Sequence, residues 1–164
     1  MREVPLPFPP SSGEHRVADA VSDARDSAEA IRNLAAGDYN NANCDYSADY
    51  AAFQQAEATW NARKAAIQLD SQANYDAAVA ARGEALAKLG VQAASVTFAY
   101  GKLGECDQKI AEGDMAPPPQ KIPKYNAAEG IATESRDASA AAAQHHTAFG
   151  TALAAWNGVL SQYP

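Results

Sequence analysis

This chain is poor in the residues that usually build a core. Of its 164 residues only 24 are Val, Ile, Leu or Phe, a share below the ~20% at which compositions begin to resemble disordered chains. No apolar run approaches the ~18–20 residues needed to cross a bilayer, so no membrane span is expected. The chain opens on Met1-Arg2-Glu3 and then prolines rather than on an apolar signal-peptide core, which predicts synthesis in the cytoplasm without a signal peptide. Basic residues are the minority, 13 Lys and Arg against 20 Asp and Glu, for a net charge of −7. That balance argues against nucleic acid as the main ligand, because phosphate binding needs clustered cations. Neither a Gly-x-Gly-x-x-Gly pattern nor a Walker-type lysine occurs, so no nucleotide cofactor is expected.

What the chain has in quantity is alanine, with 40 residues. Alanine has the highest helix propensity and loses no side-chain entropy on burial, so such a chain can fold where helices approach closely. The expected fold is all-α: an Ala-rich antiparallel bundle of three to four long helices behind an extended, proline-rich N-terminal arm. The arm covers residues 1–13, where Val4, Leu6 and Phe8 alternate with prolines that favour extended backbone.

A first helix is predicted from about 14 to 36. Ser11 and Glu14 have capping-box spacing, and Val17, Val21, Ala24, Ala28, Ile31 and Ala35 form a coiled-coil-like seam. Residues 37–46, GDYNNANCDY, read as a polar loop. A second helix runs over about 47–70 with a stripe of Tyr46, Tyr50, Phe53, Trp60 and Ile67. A third runs over about 74–112, its stripe including Val79, Leu86, Leu89, Val96, Tyr100 and Leu103.

Between these two stripes the phase slips within Asp70-Ser71-Gln72-Ala73-Asn74. The slip marks either a turn or an irregularity in one continuous rod that would reach ~100 Å. Cap-forming Asp, Ser and Asn favour the turn, while the absence of Gly and Pro favours the rod. A hairpin reflected about residue 75 would set Trp60 opposite Gly90, Ile67 opposite Gly83 and Cys44 opposite Cys106. Residues 113–125, with three consecutive prolines and Pro123 beyond, are expected to be a stiff non-helical connector. The last helix covers 126–163 in the same domain, with Phe149, Leu153, Trp156, Leu160 and Tyr163 on one stripe.

The residues that could carry chemistry are few. The positions three before His15, His145 and His146 are Ser12, Ala142 and Ala143, so the Glu-x-x-His pairs of di-iron bundles are missing. Adjacent His145 and His146 point in different directions on a helix and read as partly exposed residues. Cys44 and Cys106 lack partners at zinc-ligand spacing. Asp45 and the pair Glu105 and Asp107 flank them, and negative neighbours disfavour a nucleophilic thiolate. No catalytic, cofactor or metal residue is therefore assigned, and Cys44–Cys106 stands as a candidate disulfide.

With single Ala-based seams, a lone bundle buries little apolar area, which makes partners physically attractive. Surplus aromatics point the same way. The expected function is non-catalytic: a helical subunit of a homo-oligomeric or larger particle, with a bacteriophage virion component as the concrete case. Val4, Leu6, Phe8, Trp156 and Tyr163 are the expected interface residues. The alternative is a monomeric protein-binding module or secreted effector with an aromatic groove.

Overall fold

The computed structural model describes residues 12–164, which form three helices and, among the described residues, no strand. Helix α1 spans Ser12–Asp70, α2 Gln72–Met115 and α3 Pro118–Leu160. Contacts along the bundle give its topology. Arg25, Arg32 and Glu57 of α1 meet Asp114, Asp107 and Arg82 of α2, so α2 returns along α1. Asp38, Asp49 and Phe53 meet Arg136, His146 and Trp156, so α3 runs in the direction of α1.

Burial follows a strict seven-residue repeat. One column on α1 is Ala28, Ala35, Ala42, Asp49 and Ala56, beside Phe53, Trp60 and Ile67. On α2 the matching small column is Ala78, Ala85, Gln92, Ala99, Cys106 and Gly113, beside Leu89, Val96, Leu103 and Ile110. A seven-residue period is the signature of helices packed along a single seam. Small side chains in one column let the backbones close in on the bulky ones in the other.

Bulk is concentrated at the two ends. Phe53, Trp60, Ile67, Phe149, Trp156 and Leu160 fill the end near the α1–α2 turn. Leu103, Ile110 and Tyr125 fill the opposite end. Between them lies a waist of Ala42, Val96 and Ala142.

The chain reverses at Ser71 alone. Its backbone is extended (φ −154°, ψ 116°) and its side chain accepts a hydrogen bond from the Asn74 amide, as an N-cap does. The axis of the hairpin is therefore several residues earlier than residue 75. Trp60 packs on Tyr75, with ring centroids 5.4 Å apart, instead of facing Gly90. A Cβ added at Gly83 or Gly90 would meet nothing within 4 Å, so no large side chain packs over either glycine.

Two expected irregular segments are helical. Residues 37–46 continue α1, because Ala42 lies in register with Ala35 and Asp49 and Tyr39 stacks on Tyr100 at 5.4 Å. Packing outweighs the ~0.5–1 kcal/mol that each Gly, Asn or Asp costs in a helix. The proline run does not bridge the bundle as a connector; it starts α3. Pro117 is the N-cap and the first helical positions hold prolines, where amides lack intrahelical partners in any case. Only Ala116 and Pro117 separate α2 from α3.

That turn is tightly fastened. Lys121 donates to the carbonyls of Gly113 and Asp114, capping α2 (3.0 and 2.8 Å). Tyr125 donates its hydroxyl to Asp114 at 2.6 Å, and Arg25 grips the same carboxylate through two nitrogens. Arg25 first, and then Tyr125, hold the Asp114 carboxyl down at about 2. The Tyr125 ring lies where a Cβ on residue 113 would come within 2.5 Å of it. Gly113→Ala therefore forces a buried aromatic to move and is predicted to cost about 1–3 kcal/mol. Gly83→Ala, which meets open space, serves as the control. Urea denaturation of both checks this, and an unweakened Gly113→Ala protein would contradict it.

Candidate functional site

Two features stand apart from the alanine packing. The first is a polar layer at the waist, to which each helix contributes one side chain. Asp49 is 8% exposed on α1 and Gln92 fully buried on α2. Gln92 Nε2 donates to Asp49 Oδ2 at 2.9 Å. The same oxygen lies 2.5 Å from His146 Nδ1 on α3. The hydrogen bond to Asp49 raises the His146 pKa above its ordinary value; burial opposes this, and the charges of Asp49 and Asp45 add to it. Sequence reasoning passed over this layer. The available signal was that Asp49 falls on a heptad column between Ala42 and Ala56.

The layer can hold the three helices in one register. Elsewhere, no group of three or more His, Cys, Asp or Glu side chains among the described residues is arranged to hold a metal.

The second feature is the outer face of α2. Val79, Leu86 and Tyr100 recur with Ala93 at seven-residue steps, but they form a column separate from the buried one. Leu86 is 46% exposed, Phe98 53% and Tyr100 64%. The stripe read from the sequence merged two columns, one facing the core and one facing out. Between them and Val91 and Phe98 runs a line of small residues that includes Ala80, Gly83, Ala87, Gly90, Ala94 and Gly101, all exposed. The charges at this face between residues 77 and 104 are Glu84, paired with Lys88 at 3.6 Å, and Lys102, whose ammonium lies 5.3 Å from the centre of the Phe98 ring. A helix apolar all round is normally covered all round. Here the outward side is covered only at its edges, by Tyr39 against Tyr100 and by Lys102 over Phe98.

The glycines sharpen the point. Each costs up to ~1 kcal/mol relative to alanine in a helix interior. At Gly83, Gly90, Gly101 and Gly104 an added Cβ would meet nothing within 4 Å, so no contact within the described structure calls for them.

The residues expected at an interface are placed as follows. Val4, Leu6 and Phe8 lie outside the described residues. Trp156 is a core residue, fully buried and packed on Phe53 at 5.5 Å, because its column faces the bulky end of α1. Tyr163 is half-buried; its hydroxyl donates to Asp70 at 2.7 Å and accepts from Asn74 at 2.8 Å, tying the end of α3 to the α1–α2 turn. Cys44 is exposed and Cys106 buried, and both are free thiols. With the hairpin axis near Ser71, Cys106 falls level with Arg32 rather than with Cys44, which rules out the candidate disulfide. No helix among the described residues is long and apolar enough to cross a membrane.

No protein family, curated protein or solved structure matches this chain.

The polar layer makes stability depend on pH. The folded His146 value lies above the unfolded one. Its contribution is therefore fully present below about pH 6.5 and is lost as pH rises through the folded value. The melting-temperature gap between wild type and His146→Gln is predicted to be wider near pH 6 than near pH 8.5. A gap that is constant, or wider at the alkaline end, would contradict the assignment.

Proposed function

We propose that this protein is a non-catalytic assembly subunit, whose α2 outer face packs against a helix of another subunit. The observation that carries the proposal is the exposed apolar face from Val79 to Gly104, lined by glycines at which an added Cβ would meet nothing within 4 Å. Contiguous exposed apolar patches on soluble proteins mark contact surfaces, and aromatic residues are enriched there. Small residues at helical spacing let a second backbone approach closely, as those in the bundle's own core do. A particle built from many such rods, a virion component among them, fits a long bundle whose sticky surface lies along its flank.

A second reading, a monomeric binding module, draws on the groove between α1 and α2. Tyr39, Tyr46, Val96 and Tyr100 line a cavity of about 230 Å³ there, and Arg32, Tyr39, Tyr100 and Leu103 line a neighbouring one of about 530 Å³. The larger lies within the ~300–1,000 Å³ of typical ligand pockets, so the association state and not cavity size separates the two readings.

Sedimentation equilibrium over a wide concentration range separates the two. The 17.2 kDa chain is predicted to show a mass above that of the monomer as concentration rises. Leu86→Glu combined with Phe98→Glu is predicted to stay monomeric with unchanged helicity by circular dichroism. A wild-type chain that neither self-associates nor needs Phe98 for joining other subunits would refute the proposal.

A further inference from the structure

We infer that the occupant of the α2 outer face is the α2 helix of a second copy, laid antiparallel about a two-fold axis at the level of Gln92. The inference rests on the assembly reading above and adds the partner and its geometry.

Self-complementarity identifies the occupant. The exposed small residues fall on two heptad columns, Ala80, Ala87, Ala94 and Gly101 on one, and Gly83, Gly90, Thr97 and Gly104 on the other. In an antiparallel pair each column packs against the other column of its partner. A two-fold at residue 92 sets Ala80 against Gly104, Ala87 against Thr97, Ala94 against Gly90 and Gly101 against Gly83. Every small residue finds a small residue, and none is left against a bulky one. On the flanks each column lies beside its own counterpart, so Leu86 comes near Tyr100 of the second copy along one edge and Phe98 near Glu84 along the other. A shift by one heptad sets Gly83 against Gln108 in one direction and Gly101 against Asp76 in the other. A C2 contact needs this property, since one patch must fit itself.

The area is sufficient. The face from residue 80 to residue 104 is ~36 Å long, and half the girth of a helix ~10–12 Å across gives roughly 600 Å² per copy. The total of about 1,200 Å² reaches the lower bound of specific interfaces. The dimer is therefore expected to dissociate on dilution, as a building block that pairs weakly before wider assembly would.

Disulfide trapping tests the geometry. In a Cys44→Ser, Cys106→Ala background, Ala87→Cys and Thr97→Cys are introduced in separate chains, which are then mixed and mildly oxidised. The mixed dimer is predicted to form at least tenfold faster than either homodimer, and Phe98→Glu is predicted to abolish it. Circular dichroism of each variant confirms that the helices are intact. Preferential trapping of Ala87→Cys with itself would indicate a parallel pairing and overturn the inference, as would a mixed dimer indifferent to Phe98→Glu. A chain that stays monomeric by itself, while Phe98→Glu blocks its incorporation into a native particle, would also overturn the second-copy inference but leave the assembly reading standing.

Discussion

Close approach of alanine-rich helix faces is the interaction on which the rest of this bundle depends. Ser135 of α3 reaches the Ala99 carbonyl of α2 at 2.8 Å and Tyr125 of α3 lies directly over Gly113, so little side-chain volume separates these two helices. Dispersion contacts between main chains then contribute what large aliphatic side chains supply in ordinary cores. The arrangement works only if the small columns stay in line over many turns. That requirement accounts for the long unbroken helices and for turns reduced to Ser71 and to Ala116–Pro117. Bulky residues are placed at the two ends, where they clamp the rods, and the turn at Gly113 shows the same economy of volume with Tyr125 seated directly on the glycine.

A seam of near-identical alanines has a weakness: sliding one helix by a heptad replaces alanine with alanine. The polar layer removes that degeneracy. Asp49 accepts from Gln92 and pairs with His146 in one register alone. Slipping α1 by seven residues would bring Ala42 or Ala56 to that level and leave the buried Gln92 amide without the carboxylate. Leaving such groups unpaired costs more than the pairing itself contributes, so the layer discriminates between registers more than it stabilises any one of them. The cross-bundle ion pairs of Arg25, Arg32 and Arg82 act in the same sense at the surface.

Helical class, seven-residue spacing and the buried Phe53, Trp60 and Ile67 could be read from the residues alone, because propensity and periodicity are local. What could not be read was decided by distant partners. Residues 37–46 look like a loop until Tyr39 has Tyr100 to stack on. The prolines at 117–119 look like a spacer when counted, yet their position places them where a helix begins. Val79, Leu86 and Tyr100 share a spacing with Leu89, Val96 and Leu103, and only the hairpin axis at Ser71 tells the two columns apart. His146 resembled an ordinary surface histidine because its carboxylate lies 97 positions earlier in the chain.

Small residues recur on the outside of α2 at the same seven-residue spacing as in the interior, and the proposed function assigns that outer column to a neighbouring subunit. The most direct measurement is the effect of Gly90→Leu on folding stability and self-association in the same preparation. Leucine is a better helix former by roughly 0.5–1 kcal/mol and meets open space in the isolated subunit, so the monomer should become more resistant to denaturant. The added side chain should simultaneously weaken association. Opposite signs for the two effects are the predicted result; a variant that associates as strongly as wild type would contradict the account.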